Sequence, residues 1–290
     1  MSKKIIITGA SGGFGKLTVL SLLKKGHQVA ATMRNPQGKN KEVATELENA
    51  GATIIEMDVT DTDSVNNGVQ KAIDALGGLD VVVNNAGRGV SGMQEHFTAE
   101  DFKEILDVNV IGVQRVNRAA LPSLRKQGSG LIIHISSLLG RIALPFYGPY
   151  QSAKWAVEAM AENYRVELSG FGVQSAIIEQ GGYPTTFMTN LMTPSDSSRN
   201  DSYGEFMNVP AMAAAGFEEQ LKNTPEQNPQ KVADAVAQLI DTPAKQRPFR
   251  TIVDFMGWRD GIQNYNDQFE QLTQGIYSAF GMENMLTVKS

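Results

Sequence analysis

A rhythm of short apolar runs constrains this chain more than any other feature. Up to residue 180 the runs are Ile5-Ile6-Ile7, Val29-Ala30-Ala31, Thr53-Ile54-Ile55, Val81-Val82-Val83, Leu131-Ile132-Ile133 and Ser175-Ala176-Ile177-Ile178. Continuous runs rich in β-branched residues suit strands covered on both faces, as in a parallel sheet. Between them, helical spacing predicts helices over residues 17–25, 41–50, 64–76, 99–125 and 150–168. Such alternation predicts an α/β fold, a doubly wound parallel sheet with helices on both faces. A further run, Thr251-Ile252-Val253, supplies a seventh strand. No internal repeat or long low-complexity tract interrupts the pattern, so a single domain over residues 1–290 is expected. The polar stretch 193–200 reads as a mobile loop within it, and residues 258–290 as a helical C-terminal extension without a legible motif.

Composition narrows the function. A net charge of −5 leaves no basic footprint for nucleic acid or an anionic membrane. No apolar run nears the ~20 residues needed to span a bilayer. The start of the chain reads as a first buried strand, since a signal peptide needs a longer apolar core and a small-residue cleavage site. With 0 Cys, thiolate catalysis and cysteine metal sites are excluded, and the three histidines, His27, His96 and His134, are too scattered to suggest a metal. A cytoplasmic protein is the simplest reading.

The first strand runs into Thr8-Gly9-Ala10-Ser11-Gly12-Gly13-Phe14-Gly15, and a helical pattern follows. Glycines there permit a tight turn and close backbone approach to a pyrophosphate, while the helix N-terminus offers free N–H groups to phosphates. An NAD site places a carboxylate after the second strand, to bond the ribose hydroxyls. Here that position carries Met33-Arg34, and Arg34 suits a 2′-phosphate, so NADP is favoured over NAD. Asp58, before Val59, either caps the next helix or accepts from an adenine amine; Asp61 is the better-placed cap. Asn84-Asn85-Ala86-Gly87 follows the fourth strand with small and amide residues that let the chain pass close to a ligand.

Tyr150 and Lys154 share one helix face at i, i+4. An ammonium beside a phenol favours the phenolate, and a phenol so tuned can exchange a proton with an alcohol oxygen. Alone, such a pair is far more often a solvated helix face. Tyr147 has Gln151 rather than Lys four residues on, and reads as a pocket wall with Leu144 and Phe146. His134 reads as a core histidine of the fifth strand.

In their order and spacing these pieces resemble the short-chain dehydrogenase/reductase family in its single-domain, Rossmann-type form. The likeness covers residues 3 to about 190 and fits more loosely to about 255. It implies Tyr150 as general acid/base and Lys154 as the group that lowers its pKa and binds the nicotinamide ribose. It implies Ser137 as the holder of the substrate oxygen, chosen over Ser136 by its spacing to Tyr150, with Ser136 lining the cofactor side. Asn109 would position a water in a proton relay. The implied cofactor contacts are Gly9, Ser11, Gly13, Phe14, Gly15, Arg34, Asp58, Val59, Asn85, Ala86, Gly87, Tyr150, Lys154, Gly181 and Thr185. Gln180 stands where the family usually has proline, which frees the backbone and exposes an amide near the nicotinamide. Residues 186–223 would form a lid, with Phe187 and Met188 joining Leu144, Tyr147 and Tyr183 around an apolar carbonyl or secondary alcohol; the segment's apolar residues equally suit a helix pair packed onto the sheet. The family also implies a homodimer or homotetramer through the helices at 99–125 and 150–168. A nucleotide sensor on the same fold, or an epimerase or dehydratase using the same pair, is the alternative.

Overall fold

The computed structural model describes residues 1–289; Ser290, the last residue of the predicted C-terminal extension, lies outside them. Seven strands form one parallel sheet in the order β3-β2-β1-β4-β5-β6-β7. They are β1 Lys4–Ile7, β2 Gln28–Met33, β3 Thr53–Glu56, β4 Val81–Asn84, β5 Gly130–Ile135, β6 Val173–Gln180 and β7 Arg250–Val253. The helices are α1 Gly13–Lys24, α2 Lys41–Asn49, α3 Thr62–Leu76, α4 Ala99–Leu106, α5 Gly112–Gln127, α6 Gly148–Glu167, α7 Thr186–Thr189, α8 Asn200–Tyr203, α9 Val209–Lys222, α10 Gln230–Asp241 and α11 Arg259–Ala279.

The apolar runs are buried on both sides, as their composition requires. Ile5 and Ile7 of β1 join one core, with Val19 and Leu22 of α1 and Val236 and Ile240 of α10. Ile6, pointing the opposite way, joins a second with Val65 and Val69 of α3 and Val116 and Leu124 of α5. Asp61 caps α3 by accepting from the Ser64 N–H, and Gly77 ends that helix in the left-handed region.

The region expected as one helix over 99–125 is two. A π-turn, Asp107–Ile111, breaks it and carries Asn109. No Pro or Gly precedes the break to signal it. A widened turn can present a side chain that a regular helix would bury in its own ladder. The C-terminal stretch is mostly α11, which the forked pair Arg165–Glu270, at 2.7 and 2.8 Å, holds against α6.

Ile132 is fully buried in the middle of the sheet. Ile132→Ala is expected to lower stability by about 2–5 kcal/mol, read as a lower urea midpoint with an unchanged slope.

Candidate active site

The site forms where β1 and β4 part company, the switch point at which the strand order reverses. The hydroxyl of Thr8 accepts from the N–H groups of Asn85, at 3.0 Å, and Ala86, at 2.9 Å. The Asn85 amide donates back to the carbonyls of Thr8, at 2.8 Å, and Gly9, at 3.1 Å. Gly9 is left-handed at φ 68°, and a Cβ there would meet the Ala86 Cα at 2.8 Å. Gly12 is the N-cap of α1 and offers no side chain to its first N–H groups, which leaves them for an acceptor in the cavity. Gly9, Ser11, Gly13 and Phe14 line that cavity. Gly15, expected beside them, is a packing position instead: a Cβ on it would lie 2.4 Å from the Gly9 carbonyl oxygen. Its bareness lets α1 approach the turn.

The cavity, of about 1510 Å³, runs continuously from this turn in two directions. At one end Arg34 and Asp58 face each other at 3.9 Å. Burial pushes the Asp58 carboxyl up, but hydrogen bonds from Thr60 and the charges of Arg34 and Arg115 outweigh it and hold the group below its ordinary range. Val59 lines the same end, as do Lys39 and Asn40, which the sequence did not single out. Their placement depends on Asn35, left-handed at φ 46°. The Asn40 amide then donates to the Arg34 carbonyl at 2.6 Å.

At the other end stand Ser137, Tyr150 and Lys154, all lining the cavity. Ser137 opens a short turn and accepts from the Leu139 N–H at 3.1 Å. The Ser136 hydroxyl does not reach the cavity as expected. It is buried in the wall behind, within 2.9 Å of where a Cβ on Gly140 would sit. The Tyr150 ring packs among Val90, Phe97, Ile105 and Met192, with the Phe187 ring at 5.5 Å. Lys154 Nζ donates to the Ile135 carbonyl at 2.7 Å and lies 5.5 Å from the Tyr150 ring centre. Burial pushes the Tyr150 phenol well above its usual value, opposed by the Ser137 hydroxyl. This corrects the expectation of a phenol lowered by its lysine: in this apolar cluster desolvation sets the direction. Burial also pulls Lys154 down to about 8, opposed by Glu158. Near neutrality the pair is therefore a protonated phenol beside an ammonium.

Asn109 sits behind this constellation. Its side chain accepts from the Arg88 N–H and donates to the Arg88 carbonyl, both at 2.8 Å, so it braces the backbone just after Gly87. Gln180 does not expose its amide to the cofactor region; its Nε2 donates to the Ser136 carbonyl at 2.7 Å and ties β6 to the serine turn. His134 is fully buried on β5, and desolvation lowers it to about 3, so it stays neutral.

Leu144, Phe146, Tyr147, Phe187 and Met188 line the cavity beyond the Tyr150 end, as do Phe217, Gln220 and Trp258. Trp258, at the start of the stretch with no readable motif, was invisible to spacing arguments. Tyr183 touches the cavity with its ring edge-on to Phe14 at 5.4 Å, while its hydroxyl donates to the Val253 carbonyl. Gly181 and Thr185 line the same wall. The polar stretch 193–200 carries a dense set of bonds where a mobile loop was expected. Asp101 accepts from both the N–H and the hydroxyl of Ser195, at 3.1 and 2.9 Å. Just before it, Met192 bridges to Val90.

Comparison with known proteins agrees with this geometry. The family model for short chain dehydrogenase matches residues 3–196. The uncharacterized oxidoreductase YusZ of Bacillus subtilis is 36% identical over 253 residues, covering 82% of this chain and 85% of that protein. The 3-ketodihydrosphingosine reductase of Bacteroides thetaiotaomicron is 33% identical over 255 residues, covering 86% and 87%. A short-chain dehydrogenase structure from Streptomyces avermitilis superposes with a TM-score of 0.74 at 26% identity, covering 95% of this chain and 99% of that one. The chain belongs to the short-chain dehydrogenase family. It is an oxidoreductase of that family, with alcohol- or ketone-type substrates and a nucleotide cofactor.

Gly9→Ala forces a Cβ against the Ala86 backbone at a left-handed φ. Strain of about 1–3 kcal/mol is expected to appear as a lower melting temperature together with at least tenfold weaker nucleotide binding by calorimetry.

Proposed function

We propose that this protein reduces an apolar ketone or aldehyde, or oxidises the matching secondary alcohol, with NADP(H), using Tyr150 as the general acid/base. One observation carries the reading: a single cavity joins the glycine turn and Arg34 at one end to Ser137, Tyr150 and Lys154 at the other. The uncapped start of α1 and the bare Gly9–Gly13 turn fit a pyrophosphate. Arg34 and Lys39 fit a 2′-phosphate. The bound nicotinamide supplies the hydride.

The protein's own groups supply the rest. A carbonyl oxygen gains negative charge as it is reduced, and the hydroxyls of Ser137 and Tyr150 are preset donors for it. Tyr150, held protonated by burial, gives its proton to that oxygen. The Lys154 ammonium then steadies the phenolate left behind and donates to the ribose hydroxyls. Asn109 holds the Arg88 backbone in place just after Gly87, where a bound cofactor would pass. Apolar walls from Leu144, Phe146, Phe187, Met188 and Phe217 favour a bulky hydrocarbon substrate. The Bacteroides relative, a 3-ketodihydrosphingosine reductase, supports that class.

A panel of ketones and alcohols, assayed by absorbance of reduced cofactor, tests the proposal. Tyr150→Phe is expected to lower kcat by about 10²–10⁴-fold while nucleotide binding persists; undiminished turnover would refute the assigned acid. Replacing Arg34 and Lys39 together by Ser is expected to lower the preference for NADPH over NADH by roughly ten- to a hundredfold, the loss of one or more charge-assisted hydrogen bonds. A wild-type enzyme that uses NADH as well as NADPH would sink the 2′-phosphate assignment.

A further inference from the structure

The loop that leads into α6 holds one residue in an uncommon conformation. Among the described residues, two other than glycine have a positive φ, Asn35 at 46° and Phe146 at 75°. Asn adopts that region readily; a bulky aromatic stays there only where the surrounding structure holds it. The Phe146 carbonyl accepts from the Gly92 N–H at 3.0 Å. On one side of it the Leu144 N–H donates to Gln151 Oε1 at 2.9 Å. On the other, the Gln151 N–H donates to the Tyr147 carbonyl, also at 2.9 Å. Gly148 lies so close to Gln94 that a Cβ on it would collide with the Gln94 amide oxygen.

Glycine at position 146 would make the same turn without strain, so the turn does not account for the side chain. Core packing does not account for it either, because the ring joins none of the apolar cores among the described residues. It lines the cavity instead, with Leu144, Pro145 and Tyr147. The Phe206 ring lies 6.4 Å from it at a tilt of 55°. Phe206 belongs to the segment expected as a lid and is 50% exposed. The short stretch that anchors Phe146 anchors the start of that segment as well. The Ser91 N–H donates to the Met192 carbonyl and the Met192 N–H to the Gly89 carbonyl, both at 2.9 Å. Gly92 packs so closely on Pro194 that a Cβ would not fit between them. Residues 89–92 thus fix the loop before Tyr150 and the root of the lid against each other, and Phe146 meets Phe206 across the two.

We infer that Phe146 is a specificity-determining residue: its left-handed backbone turns the ring to where the cavity meets the lid, and with Phe206 it forms an aromatic rim that reads the length of a hydrocarbon tail. The inference rests on the reading of Ser137, Tyr150 and Lys154 given above, and narrows the substrate to a ketone or alcohol that carries such a tail. A tail reaching the rim gains about fourfold in affinity for each methylene it buries there. A short ketone gains none of it.

The test is Phe146→Gly, which keeps the turn and removes the ring. Methyl ketones of about four and about ten carbons are compared at saturating reduced cofactor. The ratio of kcat/KM, long over short, is expected to fall about tenfold or more, the contact of roughly two methylenes. The melting temperature is expected at or above that of wild type, because glycine relieves the strain. Phe206→Ala leaves the left-handed turn as it is. It is expected to lower the same ratio, and carries the test if Phe146→Gly does not fold. An unchanged ratio in the folded variant, with a lower melting temperature, would make Phe146 a packing residue and overturn the inference. Calorimetric titration of the longer ketone into protein loaded with oxidised cofactor, where no hydride can pass, reads the preference without turnover. Weaker binding in Phe146→Gly is expected there, and equal binding overturns the inference. Should Tyr150→Phe retain activity, the acid assignment fails on that result alone, and the titration still decides the role of Phe146.

Discussion

Everything in this site hangs on one close approach, the turn after β1 lying against the turn after β4. Two adjacent parallel strands whose connections leave towards opposite faces open a crevice at their carboxyl ends. The crevice is useful only if the two turns keep a fixed separation. The Thr8 and Asn85 side chains fix it with four hydrogen bonds across the two turns, two of them to each other's residue and two to the Gly9 carbonyl and the Ala86 N–H. Each uses a side chain to satisfy main-chain groups of the other turn, groups that strand endings would otherwise leave unpaired. Gly9 makes the contact sterically possible, and Gly15 allows α1 to start directly behind it. The uncapped start of α1 and the base of the cavity inherit their positions from that junction.

Much of the fold was legible because each strand carries the cause of its own burial. Ile5, Ile6 and Ile7 need no distant partner to announce a strand covered on both faces, and Asp61 announces its helix by capping it. The candidate catalytic positions were legible for a related reason: Tyr150 and Lys154 are one turn apart, so spacing alone implies a shared face. What escaped depends on partners far along the chain. The break at residues 107–111 has no local breaker, and what Asn109 touches is the Arg88 backbone. Lys39 reaches the cavity because Asn35 adopts a left-handed turn, which its sequence permits but does not demand. Gln180 looked like a freed amide until the Ser136 carbonyl was seen to be its acceptor.

The phenol teaches a more specific lesson. Spacing correctly puts a cation near Tyr150, and from that alone a lowered pKa follows. Spacing says nothing about Val90, Phe97, Phe187 and Met192, which surround the ring and come from separate segments. Desolvation by those neighbours sets the sign. The apolar packing thus leaves the phenol protonated near neutrality. Pattern reading thus finds the members of a site more readily than it finds their charge states, since dielectric surroundings are assembled from the whole fold.

The junction of the two turns also depends on the far end of the chain. Ile5 and Ile7 of β1 share their core with Val236 and Ile240 of α10, so the strand that leads into the glycine turn keeps part of one face uncovered until a helix about 230 residues later has been made. At roughly 5–20 residues per second, that wait is on the order of tens of seconds. A growing polypeptide thus carries every residue of the turn long before it carries the support on which the turn rests.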